Sequence, residues 1–275
     1  MAARARGGPQ SSRCAVRQAT LVALYGPKRW RLGHLLRSWQ DRLGRSIRQT
    51  GTRIVFRPYP LAQVHATVLG LERVPGPGLH NRNLHELRGG AQAMRLPELF
   101  GFILDSGDLP FDVQLGGFED RDYPFRSRGA RPYHRSFSIQ GRTAVVIGWP
   151  VRAARDRRPP TRHWPLILHE LRRSAQRFNV LHRWHREPSD VDNDLYLRLG
   201  LLESELADSQ REAVEQEMRR DLSATPPSTV RIGPSDLVVV SYPAGEETLP
   251  IGRSEVVRLT DPRLQSEDFV AQLYA

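Results

Sequence analysis

Residues 63–72 read QVHATVLGLE. One histidine stands two places from a threonine in a run made mostly of Val, Ala, Leu and Gly. In a strand, side chains at i and i+2 share a face. His65 and Thr67 then point one way, and Val64, Ala66 and Val68 the other. A strand with one apolar face and a His/Thr pair on the other reads as the wall of a site. The same residues also fit a core strand with a hydrogen-bonded histidine at its edge. This stretch alone leaves both readings open, and the rest of the chain must decide.

Outward from it, the patterning alternates strands and helices. ATLVALYG (19–26) predicts a first strand, and Leu32, Leu35, Leu36, Trp39 and Leu43 form the apolar stripe of a helix laid on a sheet. TRIVFR (52–57) is a second strand, and the His/Thr strand covers 62–71. Residues 74–95 read as a long loop with a short helix near 83–88, followed by a helix over 96–104. PFDVQLGGF (110–118) predicts a strand ending in a Gly-Gly turn, 119–133 a loop, and 137–151 two strands around a turn. RAARDRRPPTRH (152–163) reads as a hinge between halves. A helix over Trp164–Arg186, a strand over 191–203, a charged helix over 205–222 and a closing strand over 236–242 complete the order.

The chain has 275 residues and 39% hydrophobic residues, enough for a sizeable core. No run of about 18 apolar residues is present, so no membrane span is expected. With one cysteine, Cys14, no internal disulfide can form and no cysteine-based metal site is expected, which fits a reducing cytoplasm. The net charge is +11, and of the 41 basic residues all but Lys28 are arginine. So lopsided a ratio fits a GC-rich genome, but the excess charge also favours polyanionic partners such as RNA or nucleotides. No acidic residue precedes Asp41. Residues 1–18 read as a disordered basic tail. They share the acid-poor, Arg/Ser-rich composition of organelle transit peptides and lack the apolar core of a secretory signal.

Each half places a helix before a strand carrying a Leu-Gly pair: HATVLGLE in the first, DLYLRLGLLE in the second. That points to duplication about a pseudo-twofold, with one strand from each half lining a shared cleft. Taken with His65-Ala66-Thr67-Val68, this order resembles the two-histidine phosphoesterase superfamily, which includes RNA 2′,3′-cyclic phosphodiesterases, also called 2′-5′ RNA ligases. The resemblance covers about residues 19–245. It implies an α/β (α+β) fold of two lobes, with antiparallel sheets lining a central cleft and helices outside. The first lobe would be 19–151 and the second 164–245, together one domain, with 246–275 as a C-terminal extension. The second motif departs from the family pattern. Asn193-Asp194-Leu195-Tyr196-Leu197-Arg198 keeps the apolar positions but puts Asp194 in place of the histidine and Tyr196 in place of the hydroxyl residue.

In that family, as the resemblance implies, one histidine takes a proton from the nucleophile, the other protonates the leaving oxygen, and the hydroxyls hold phosphate oxygens. His65 and Asp194 are therefore the expected catalytic pair, facing each other about 5–9 Å apart across the cleft. Thr67, Tyr196 and Arg198 are the expected substrate-binding residues. A free carboxylate, with a pKa of about 4, is a poor acid at neutral pH and repels phosphate. A histidine at 194 is thus expected to raise activity by about tenfold or more, most fairly tested together with Tyr196→Thr. His134-Arg135-Ser136 is read as a coincidence and His182 and His185 as solvated. Asp190, Asp192 and Asp194 lack the glycine and distal glutamate of a calcium loop. No metal, cofactor or membrane is expected, and the partner is RNA or a nucleotide with a cyclic phosphate, bound by a cytoplasmic monomer. Three readings stand: a phosphodiesterase acting on cyclic phosphate or 2′-5′ linkages, a catalytically impaired nucleotide- or RNA-binding module of the same fold, and an unrelated α/β domain in which His65 is merely satisfied.

Overall fold

A computed structural model describes residues 16–152 and 164–275. Cys14, most of the basic tail and nearly all of the expected hinge lie outside the described residues. In chain order the elements are β1 (Arg17–Ala23), α1 (Trp30–Gln49), β2 (Phe56–Pro58), β3 (Ala66–Gly70), α2 (Arg82–Arg88), α3 (Leu96–Asp105) and β4 (Phe111–Leu115). They continue with α4 (Pro132–Arg135), β5 (Phe137–Gln140), β6 (Thr143–Arg152), α5 (Ile167–Ala175), β7 (Leu195–Leu202) and α6 (Asp208–Ala224). β8 (Ser228–Ile232), β9 (Leu237–Pro243), β10 (Glu255–Arg258) and α7 (Glu267–Gln272) close the chain.

The fold is α+β. The strands pair antiparallel in the order β10-β9-β1-β3-β7-β6-β4-β8, with β2 also pairing β7 and β5 pairing β6. α1 forms as its stripe requires: Leu32, Leu36, Trp39, Leu43 and Ile47 are all buried. Gly116 and Gly117 make the expected turn, both at positive φ, where a β-carbon is disfavoured. Gly200, of the second Leu-Gly pair, is required by close approach. A β-carbon there would lie 2.4 Å from the Arg57 carbonyl oxygen on β2.

Sheet neighbours come from opposite ends of the sequence. β9 pairs β1, so the strands beside His65 are completed by residues after 236. Residues 246–275 are integral as well, since Leu259, Leu264, Val270 and Leu273 are buried in the main core. β1 begins inside the expected tail because Arg17 is tied into the ladder, its Nε donating to Ser241 Oγ at 2.8 Å.

The helix expected over Trp164–Arg186 is shorter. Its apolar face (Leu168, Leu171, Ala175) is buried as predicted, but Asn179 turns left-handed at φ 61 and ends it. The run from 180 to 194 is irregular instead, and it carries several of the charged groups described next.

Candidate functional site

β3 and β7 lie side by side at the centre of the sheet. Ala66 stands opposite Leu197, and the Arg198 amide donates to the His65 carbonyl at 3.1 Å. Residues opposite one another in an antiparallel pair share a face. This register sets Thr67 against Tyr196 and His65 against Arg198, while Ala66 and Leu197 turn into the core. Asp194, just before β7, lies four residues from Arg198, or roughly 13 Å of extended chain from the rung that holds His65. Tyr196, not Asp194, is the diagonal neighbour of His65.

On that face opens a cavity of about 750 Å³. Thr67, Thr143, Tyr196 and Arg198 form part of its strand wall, and Arg82, Arg128, Arg135, His182, Arg183 and Trp184 surround it. Five arginines line it against one carboxyl group, Glu72. Burial pushes the Glu72 carboxyl upward, against the hydrogen bond donated by the Tyr242 hydroxyl at 2.9 Å. Arg82, Arg183 and Arg198 make no ion pair among the described residues. The cavity is therefore built for an anion. A larger cleft of about 1070 Å³ lies at the start of α1, between Lys28, Trp30, Arg231 and Arg258. It carries none of the expected site residues.

The His65 ring is buried, with 1% of the residue exposed, and is not part of the cavity lining. Its Nδ1 lies 2.7 Å from the Gln63 carbonyl, which fixes the proton on Nδ1 and leaves the Nε2 lone pair. Tyr25 meets it edge-on at 6.0 Å. Burial, with the charges of Arg198 and Lys28, lowers its pKa to about 3, so the ring is neutral at physiological pH. It is in the form a general base needs.

Asp194 is placed differently from the expectation. Trp149 Nε1 donates to its Oδ1 at 2.6 Å, the Tyr196 hydroxyl to Oδ2 at 2.9 Å, and Ser127 Oγ lies 2.8 Å from both oxygens. Arg135 adds a contact at 3.3 Å. With 1% of the residue exposed and four donors upon it, this carboxylate anchors its neighbours. It does not line the arginine cavity. The Tyr196 hydroxyl accepts from Arg135 at 2.7 Å while donating to Asp194. Burial, then the charges of Asp194 and Asp192, raise its pKa well above the phenolic range.

A second buried cluster supports the cavity from the side. Arg172, 0% exposed, donates to the carbonyls of Val68 and Thr67 at 3.0 and 3.2 Å and to Asp192 Oδ2 at 2.9 Å. Asp192 also holds His182 Nε2 at 2.8 Å and Arg128 at 3.1 Å. Burial pushes the Asp192 carboxyl up, but Arg172 and His182 outweigh it and hold the group well below the usual carboxylate range. Arg128 stacks on Trp184 at 3.6 Å and faces Tyr196 at 5.1 Å, from a left-handed backbone at φ 47.

No protein-family model and no curated protein matches the chain. Among solved structures, Kluyveromyces marxianus Usb1 with uridine monophosphate is similar at 12% identity and a TM-score of 0.41, over 85% of this chain and 97% of that one. Kluyveromyces marxianus Usb1 is also matched at 14% identity and a TM-score of 0.38, with the same coverage.

His182 and His185 are not solvated as expected: 7% and 0% of these residues are exposed, and His185 Nε2 lies 3.1 Å from His169 Nδ1. Neither helical periodicity nor a motif marks them, because Asn179 breaks the helix that would have turned them outward. Arg128, Arg135, Arg172 and Asp192 were equally hidden, since their partners lie far away in the chain. His134 is on the short α4, half exposed and 3.6 Å from Asp120, whereas its neighbour Arg135 reaches the site. No group of His, Cys, Asp and Glu among the described residues could hold a metal ion, and no helix there is long and apolar enough to cross a membrane.

Proposed function

We propose that the cleft along β3 and β7 binds the phosphate of a nucleoside cyclic phosphate or an RNA end and cleaves a phosphodiester bond there. The observation that carries this is the register of His65 and Thr67 against Arg198 and Tyr196 beside an arginine-lined cavity. In this reading His65, buried on the rung of Arg198 behind the lining, is the general base, and ligand binding must open its Nε2 to the attacking water or 2′-hydroxyl. Thr67 and Arg198 hold the non-bridging oxygens. Tyr196 shapes the wall, and Asp194 is an anchor for Tyr196 and Arg135. Such preorganised donors stabilise negative charge developing on the phosphoryl oxygens. The runner-up is binding without turnover, and the burial of His65 favours it.

The test is hydrolysis of uridine 2′,3′-cyclic phosphate. His65→Ala should lose at least about a hundredfold in kcat/KM, the usual scale of general-base effects. Equal rates for wild type and variant would end the enzyme reading. Nucleotide binding by an inert wild type would leave the binding module. Binding should also weaken as salt rises from about 50 to 200 mM, because several arginine–phosphate contacts release counterions. An affinity that stays flat over that range would argue for a neutral pocket.

A further inference from the structure

With Asp194 committed as an anchor, the cavity needs a second proton-transfer group if it breaks phosphodiesters. We infer that His182, held by Asp192, is that group and protonates the leaving oxygen. His182 lines the same cavity as Thr67, Tyr196 and Arg198. Its Nε2 is taken by Asp192 Oδ2 at 2.8 Å, and Nδ1 has no partner among the described residues, so Nδ1 is the atom left for a ligand. The pair is braced. Arg172 ties Asp192 to the carbonyls of Thr67 and Val68, so His182 is linked through one carboxylate and one guanidinium to the strand that carries His65. Arg128 joins Asp192 to the ring of Tyr196.

The inference rests on the phosphodiesterase reading and divides its labour. Water attacks phosphorus of a 2′,3′-cyclic phosphate. A new P–O bond forms, one ring P–O bond breaks, the water proton passes to His65 Nε2, and His182 gives a proton to the ribose oxygen that leaves. The groups facing His182 are Asp192, Arg172, Arg128 and His185, the last with ring centres 5.5 Å away. Only the carboxylate favours a protonated ring. Burial and Arg172 lower the His182 pKa to about 4 against it, and a bound phosphate adds negative charge that moves it back up. His65 has no carboxylate partner, and burial with the charges of Arg198 and Lys28 keeps its ring neutral, so of the two histidines only His182 has a partner that favours the acid form.

The experiment compares two esters. Uridine 2′,3′-cyclic phosphate has an alkoxide leaving group that must be protonated; uridine 3′-(4-nitrophenyl phosphate) expels a phenolate that needs no acid. His182→Gln should lose about a hundredfold or more on the first and less than about fivefold on the second, while His65→Ala loses on both. In the wild type, kcat on the cyclic phosphate should fall as pH rises and His182 deprotonates, and that limb should be absent for the nitrophenyl ester. The pH comparison needs no variant, so it decides the matter even if His182→Gln fails to fold. Equal loss on both esters, or a shared pH limb, would overturn the role of His182. If His65→Ala is impaired while His182→Gln keeps the full rate, this inference alone fails. If the wild type cleaves neither ester, the phosphodiesterase reading fails and takes this one with it.

Discussion

Arg172→Met should cost about 3–5 kcal/mol of stability, the scale seen when one partner of a buried ion pair is removed. Methionine fills much of the space but leaves the Asp192 carboxylate short of its closest cation and the carbonyls of Thr67 and Val68 without a side-chain donor. Tm should fall by about 10 °C for a domain of this size. The pH dependence follows from the sign of the Asp192 shift. Its folded pKa is depressed, so its contribution is present above the unfolded value of about 4 and is lost as pH falls through the lower folded value. Urea unfolding should therefore show the full gap between wild type and variant at pH 7 and a smaller one below about pH 4. A gap under about 1 kcal/mol at pH 7 would mean that Arg172 is not what braces Asp192.

Asp194→His reverses an expectation raised by the sequence. Read from the motif, a histidine there restores the missing acid. Read from the geometry, it removes the acceptor shared by Trp149, Ser127, Tyr196 and Arg135. Buried donors left unpaired cost about 1–3 kcal/mol each, so a loss of at least about 3 kcal/mol is expected, with no gain in cyclic phosphate hydrolysis. Thermal unfolding and the hydrolysis assay check both halves. A variant as stable as the wild type and faster would restore Asp194 to the catalytic role.

What could be read from the chain was whatever depends on near neighbours. The i, i+2 alternation of His65 and Thr67 and the stripe from Leu32 to Leu43 each show within a few residues which side chains share a face. The Gly-Gly turn after β4 follows from residue type alone. Those local rules paired His65 with Thr67 and Tyr196 with Arg198, each pair on one face of its own strand; the α+β class came from the family resemblance. They failed where a single residue changes the path. Asn179 adopts a left-handed conformation that helical periodicity does not register, and the run it releases carries His182 into the cavity wall and the buried Asp192 and Asp194 behind it.

The chemistry of each carboxylate was decided by tertiary contacts. The aspartates at 192 and 194 stand two places apart, and nothing local to either tells which charges it meets. Asp192 meets Arg172 and His182; Asp194 meets Trp149, Ser127 and Arg135 from elements far away in the chain. By itself the sequence determined which residues share a strand face, because that periodicity belongs to the backbone. Only the folded sheet decided which rungs oppose one another and which buried charges are already paired. Register and burial are properties of two or more segments brought together, and hydrogen-bond partners fix a charge's role.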